Sequence, residues 1–194
     1  MRKIVFSVVT LAFAGCTTVG QGIATDIAEV PSDKGIVVFS TGADQTNVSF
    51  STNLMLVDGA SYKRYEKVLV NIDYPFPSQF PGEHGHVRSL SLKPGSYYLV
   101  PAPGNPFFVS TKAPIYTFSV TSGVVTYVGS LSLKSHVLTI DQSHQERDIR
   151  YFLDRNPKIR PDQVTTAVMR IYGYVSPGSP PPFEIKGTIW DAPE

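Results

Sequence analysis

The sequence predicts a mainly β fold, an antiparallel β-sandwich with one short amphipathic helix packed on it. Three observations carry this expectation. Short apolar runs recur between residues 35 and 141, most of them alternating with period two and divided by turn residues. The chain has 10 Tyr and 11 Phe, residues suited to a pleated, half-buried surface. One stretch, 144–155, carries helical periodicity, and 15 Gly and 16 Pro provide frequent turns.

The elements follow in order. GIVVFS (35–40) is a near-continuous apolar run and a strand candidate. NLMLVDG (53–59) ends on Asp58-Gly59, a turn pair. EKVLVNID (66–73) places Val68, Val70 and Ile72 on one face, and HVRSLSL (86–92) sets Leu90 and Leu92 inward against Ser89 and Ser91. Lys93-Pro94-Gly95-Ser96 predicts a hairpin into SYYLVPA (96–102), because Pro presets φ and Gly accepts a positive φ. IYTFSV (115–120) alternates Tyr116, Phe118 and Val120 with Thr117 and Ser119. Thr121-Ser122-Gly123 turns the chain into VVTYVGSLSL (124–133), where Val125, Tyr127, Leu131 and Leu133 are assigned to one face, and HVLTID (136–141) follows.

In 144–155, Ile149, Phe152 and Leu153 form an i, i+3, i+4 stripe, and Glu146–Arg150 and Arg150–Asp154 are i, i+4 pairs. Ser143 and Glu146 fit a capping box, and Asn156-Pro157 stops the helix. DQVTTAVMRIYGYV (162–175) reads as strand from its β-branched alternation or as helix from Pro161-Asp162. SPGSPPP (176–182) is polyproline-like, and FEIKGTIW (183–190) is a candidate last strand.

The N-terminus reads as an address. Arg2 and Lys3 precede an apolar region of eleven residues, 4–14, interrupted only by Ser7 and Thr10, and then Gly15-Cys16. A membrane-spanning helix needs roughly 20 apolar residues, so 1–15 is read as a signal peptide. Phe13-Ala14-Gly15-Cys16 resembles the lipobox of bacterial lipoproteins, whose cysteine thiol takes a diacylglycerol and whose new amino terminus takes an acyl chain. Ala12-Phe13-Ala14 also fits ordinary signal peptidase, which would release a soluble periplasmic protein. Cys16 is the only cysteine, and an exported protein builds no internal disulfide from one. Thr17, where inner-membrane lipoproteins carry Asp, directs the expectation to the outer membrane with the domain facing the periplasm. The expected organisation is signal peptide 1–15, lipidated tether 16–34, sandwich with its helix 35–157, and a Pro-rich extension 158–194.

The opening GIVVFS, the strand around NLMLVDG, HVRSLSLKPGSYYLV and VTSGVVTYVGSL together resemble small bacterial lipoproteins of the carboxypeptidase-regulatory or PEGA-like sandwich type. The last of these segments resembles their penultimate hairpin. The resemblance covers 35–157 and encodes turn geometry rather than chemistry. It implies a binding or scaffolding module of the envelope and no catalytic residue.

Charge excludes one class of partner. Without Arg2 and Lys3 the 17 basic residues fall to 15 against 16 acidic ones, and no basic stripe is left to contact phosphates, so no nucleic acid is expected. Candidate chemistry is sparse. His84 and His86 lie two apart on an extended segment, so they can share a side, with Glu83, His136 or His144 as third ligand. An exposed loop entering a strand, with His86 as its first residue, is the favoured reading, and no resident metal or cofactor is expected. Ser143, His144 and Asp141 have the residue types of a hydrolase triad, but neighbours at a helix start do not face one another as a triad requires, and no catalytic residue is assigned. In 74–81 the aromatics Tyr74, Phe76 and Phe80 are interspersed with prolines. Rigid exposed aromatics make contact residues, whereas buried ones would plug the sandwich end.

The functional expectation is a non-catalytic, outer-membrane-anchored binding or scaffolding module that binds an envelope protein partner or stabilises an assembly. A module for cell-wall glycan or another polymer, using Tyr74, Phe76 and Phe80, is the alternative, followed by a metal-binding protein at His84 and His86.

Overall fold

The computed structural model describes residues 24–43, 52–72, 78–80, 84–101, 112–134 and 137–176. Cys16, Tyr74, Phe76, Glu83, His136 and the candidate strand 183–190 lie outside them.

Two sheets pack face to face as a sandwich. The first contains β4 (His84–Leu92), β1 (Gly35–Ala43), β7 (Val125–Lys134) and β8 (Val137–Asp141) in that order, with β9 (Val164–Thr166) also on β7. The second runs β10 (Arg170–Val175), β6 (Ala113–Val120), β5 (Gly95–Pro101), β2 (Thr52–Asp58), β3 (Arg64–Ile72). The second sheet is antiparallel throughout. The first is mixed, because β1–β7 and β7–β9 are parallel pairs. Residues 162–175 are therefore mostly strand, entered through a 3-10 turn at Pro161–Gln163.

The core between the sheets comes from the alternation. Val37, Phe39, Leu90, Leu92, Leu131 and Leu133 face Leu54, Leu56, Tyr97, Leu99, Tyr116 and Phe118. Helix α1 (Gln145–Arg155) covers the outer face of the first sheet, where Phe152 meets Ile36, Val38, Val87, Val125 and Tyr127. This cover explains the unbroken apolar run of β1, which is central in its sheet and has both faces buried.

Four expectations are corrected. The Pro94-Gly95 turn joins no hairpin, since β4 belongs to the first sheet and β5 to the second. The Tyr97 hydroxyl donates to the Lys93 carbonyl at 3.0 Å and fastens this corner. The Thr121-Ser122-Gly123 turn likewise carries the chain between sheets rather than closing a hairpin of β6 and β7. Turn residues announce that a chain reverses; they do not announce whether the flanking strands pair. Third, β7 does not keep Val125, Tyr127, Leu131 and Leu133 on one face. Val125 and Tyr127 face α1, whereas Leu131 and Leu133 enter the inter-sheet core. The register against β1 slips between Val38 and Ser40, opposite Gly129, whose φ is +112°. One extra residue at this bulge shifts the period-two phase.

Fourth, Ser143 does not cap α1. The N-cap is His144, without a side-chain cap bond, and the Ser143 hydroxyl donates to Asp141 Oδ1 at 2.6 Å.

The stretch expected as a tether is docked from Ala24 onward. Ala24 N donates to Ser89 Oγ at 2.7 Å, and Asp26 N donates to the Arg155 carbonyl at 3.0 Å. Buried Asn156 accepts from Ile27 N at 3.0 Å through Oδ1 and donates to the Ala24 carbonyl at 2.8 Å through Nδ2. Among the described residues no helix is long and apolar enough to cross a membrane.

Candidate functional site

The outer face of the second sheet carries three tyrosines in contact. Alternation in β5 turns Tyr97 inward and Tyr98 outward, where Tyr98 is half-buried. Two backbone irregularities bring the other rings to it. At the β2–β3 turn, Tyr62 has φ +52°, a left-handed conformation that costs a bulky residue about 1–2 kcal/mol. The turn is held by Asp58 Oδ1, which accepts from Ala60 N at 3.1 Å, Ser61 N at 2.7 Å and Ser61 Oγ at 2.7 Å. Burial pushes the Asp58 carboxyl up, but these hydrogen bonds outweigh it and hold the pKa below the ordinary value. The turn is pinned to β5 where Gly59 N donates to the Ser96 carbonyl at 2.8 Å, and a Cβ on Gly59 would lie 2.5 Å from that oxygen. The Tyr62 ring then stands 6.3 Å from that of Tyr98 at an interplanar angle of 14°.

On the other side, the register of β10 against β6 slips between Ile171 and Gly173, and the bulged residue is Tyr172. Bulges re-aim side chains. Here the Tyr172 ring meets Tyr98 edge-on at 4.8 Å and 61°. Tyr62 is 37% and Tyr172 49% exposed, so both rings offer surface to a partner. Partial burial, reinforced by the neighbouring phenols of Tyr172 and Tyr62, raises the pKa of the Tyr98 hydroxyl.

An arginine flanks this row at each edge of the sheet. Arg64 pairs with Val57, Val57 with Tyr98, Tyr98 with Thr117, and Thr117 with Arg170. Directly paired residues share a face, so this line runs across all five strands on the outer face. Both arginines are exposed, and neither has an ion pair among the described residues.

A second polar arrangement lies under α1. The Tyr127 hydroxyl donates to Asp148 Oδ2 at 2.9 Å, and Arg147 donates to Asp148 Oδ1 at 3.0 Å from Nε and 2.9 Å from Nη2. Burial and the adjacent Asp148 carboxylate raise the Tyr127 pKa. Ser40 donates to Ser130 at 2.9 Å, and Ser130 lies 3.3 Å from His144 Nδ1. Ser40, Ser130 and Asp148 are buried, so this chain of polar groups is closed to a substrate and fastens the helix to the sheet.

Phe80 belongs to this region. It is half-buried, with the Arg147 guanidinium 3.9 Å over its ring and Tyr151 edge-on at 5.3 Å. It also lines an open cleft along α1 with Glu146, Arg147, Arg150 and Tyr151. The segment is held by Ser78 Oγ, which accepts from Phe80 N at 3.1 Å and Gly85 N at 2.9 Å.

His84 and His86 both fall in β4, opposite Ala43 and Thr41. His86 shares the inter-sheet side with Arg88, whose Nε donates to Thr41 Oγ1 at 3.2 Å and whose pKa burial lowers. His144 lies under the start of α1, on the opposite face of the first sheet from His86. Among the described residues no three His, Cys, Asp or Glu side chains are grouped to hold a metal. Ser143 bonds Asp141 while His144 meets Ser130, so these three do not form a triad.

The tyrosine row was not singled out from the sequence. One signal was present: Tyr98 is outward where Thr117 and Ser119 occupy outward positions on the neighbouring strand. The left-handed Tyr62 and the bulge at Tyr172 have no local signature. Compared with known protein families, curated proteins and solved structures, the chain matches none of them.

Proposed function

We propose that this protein is a non-catalytic binding module of the bacterial envelope, anchored by lipid on Cys16 in the outer membrane and facing the periplasm. The observation that carries the binding role is the convergence of Tyr62 and Tyr172 on Tyr98. A left-handed tyrosine and a bulge are costly ways to build a sheet surface, and strain of this kind concentrates at functional sites. The anchor rests on residues 1–16 and on the lone cysteine. With docking beginning at Ala24, eight residues separate Cys16 from the docked segment, at most about 29 Å of chain, so a lipid on Cys16 would keep the domain near the membrane. Such a short lead favours a partner close to the membrane surface.

Crosslinking and pull-down from native membranes test this function with the lipidated full chain. A specific partner should be recovered, and Tyr98→Ala should reduce its recovery several-fold. Replacing Cys16 with Ala should move the protein from the membrane fraction to the soluble one; unchanged membrane partitioning refutes the anchor. Turnover of a generic ester, peptide or glycan substrate, abolished by a point mutation, would refute the non-catalytic role.

A further inference from the structure

The docked N-terminal segment begins at one defined place, beside the C-terminal end of α1. Ala24 N meets Ser89 Oγ on the outer side of the first sheet, the Ala24 carbonyl accepts from Asn156 Nδ2, and Asp26 N donates to the Arg155 carbonyl. Ile27 and Val30 pack against the same apolar cluster as Phe152. Cys16 stands eight residues earlier, at most about 29 Å away whatever path the chain takes. A lipid on Cys16 is therefore reached directly from the α1 side of the sandwich. To turn the second sheet toward the lipid, the chain must first pass both sheets, which stack ~10 Å apart.

The surface at this exit suits a headgroup layer. The Arg155 guanidinium lies 3.4 Å over the centre of the half-buried Tyr151 ring, and its Nη1 donates to the Tyr151 carbonyl at 3.2 Å. Tyrosine and basic side chains are the residues that settle at membrane–water interfaces, apolar body inward and polar end outward. Pro157 and Lys158 follow, both exposed. Arg150 and Arg160 are each engaged by a carboxylate, from Glu146 and Asp162. The exposed Asp26 and Asp154 border the same surface, so its net charge is small. Attraction there comes from N–H donors meeting phosphate oxygens at short range rather than from a broad positive field.

We infer that the C-terminal half of α1 and the turn after it form a membrane-contact surface, with Tyr151, Arg155 and Lys158 against phospholipid phosphates. The second sheet is thereby turned away from the bilayer. This inference rests on the lipid anchor proposed above and adds the face on which the anchored domain lies.

Cys16 is the only thiol of the chain, so the mature protein can be coupled through it to a maleimide lipid in nanodiscs of phosphatidylethanolamine and phosphatidylglycerol. A gadolinium-chelate lipid in the same discs broadens nearby methyl signals. Broadening of Ile149, Leu153 and Ile159, on the α1 side, should exceed that of Val57 and Val100, in the cluster beyond the second sheet, by about tenfold, since two layers of ~10 Å separate them. Arg155→Gln combined with Lys158→Gln should cut this ratio several-fold at an unchanged melting temperature. Lys158→Gln alone, at an exposed position, should lower it partway and serves if the double variant unfolds. Equal broadening of both groups overturns the inference, as does stronger broadening of Val57 and Val100. An unchanged ratio in the variants also overturns it, because the tether alone would then hold α1 near the lipid. The same α1 shifts in concentrated, uncoupled protein without nanodiscs would identify a second copy of the chain as the occupant and overturn it too. Coupling imposes the anchor, so these outcomes are separate from the fractionation of Cys16→Ala, which tests the anchor itself.

Discussion

The Tyr127 hydroxyl and the Asp148 carboxylate meet 2.9 Å apart beneath α1, both side chains buried. One comes from the outer face of β7 and the other from the buried face of the helix, beside Phe152, so the bond fixes the helix's rotation and position on the sheet. Arg147 supplies the remaining donors to Asp148 and is itself steadied on the Phe80 ring. Replacing Tyr127 with Phe keeps the ring packing and removes one donor to a buried anion. The expected loss is about 1–3 kcal/mol of stability, seen as a fall of several degrees in the melting temperature by circular dichroism. An unchanged melting temperature would show that the carboxylate does not depend on this hydroxyl.

Asn156 ties the docked N-terminal segment to the end of α1 through its contacts to Ala24 and Ile27, and it also donates to the Phe152 carbonyl at 2.9 Å. Asn156→Ala should cost about 1–3 kcal/mol through the buried groups left without partners. The segment 24–34 should become the first site of limited proteolysis and lose amide protection, while the core strands keep theirs. Equal protection of this segment in both proteins would count against the latch.

Alkaline pH should weaken the fold through its buried phenols. Burial, and then the neighbouring Tyr174, push the Tyr116 pKa up to about 12, and the Tyr127 pKa is raised too. For an acid with a folded pKa above its unfolded one, the native state holds the proton longer. Its contribution is therefore complete below the unfolded value of about 10 and is lost as pH rises toward 12. Urea unfolding between pH 9 and 12 should show stability falling across that window, with a shallower fall for Tyr116→Phe. An identical slope in the variant would rule out Tyr116 as a contributor.

Gly129 is required by the bulge in β7. A Cβ there would lie 2.9 Å from Ile140 Cγ1, and φ is +112°. Gly129→Ala should destabilise the protein by about 2 kcal/mol or more, since both the steric contact and the backbone conformation oppose it. Gly123→Ala is a comparison with open space around the Cβ but φ +70°, so it carries the backbone cost alone and should lose less. Equal losses would show that Ile140 yields without cost.

The sequence by itself determined the elements and most of their faces. Period-two alternation in 86–92 and 115–120 correctly assigned Leu90, Leu92, Tyr116 and Phe118 to the interior. The helical stripe placed Phe152 against the sheet, and the apolar run of 35–40 marked a strand. These properties are local, because a side chain's direction follows from its neighbours' backbone geometry. Only the tertiary structure decided which strands pair. Pro94-Gly95 turns the chain equally well within a sheet or between two, and the parallel pairing of β1 with β7 depends on residues nearly ninety positions apart. It also decided the candidate site. Tyr62, Tyr98 and Tyr172 come from three distant segments, and one bulge and one left-handed residue bring them together. Such irregularities are selected by the energy of the assembled sheet, which offsets their local cost, and so a local pattern does not announce them.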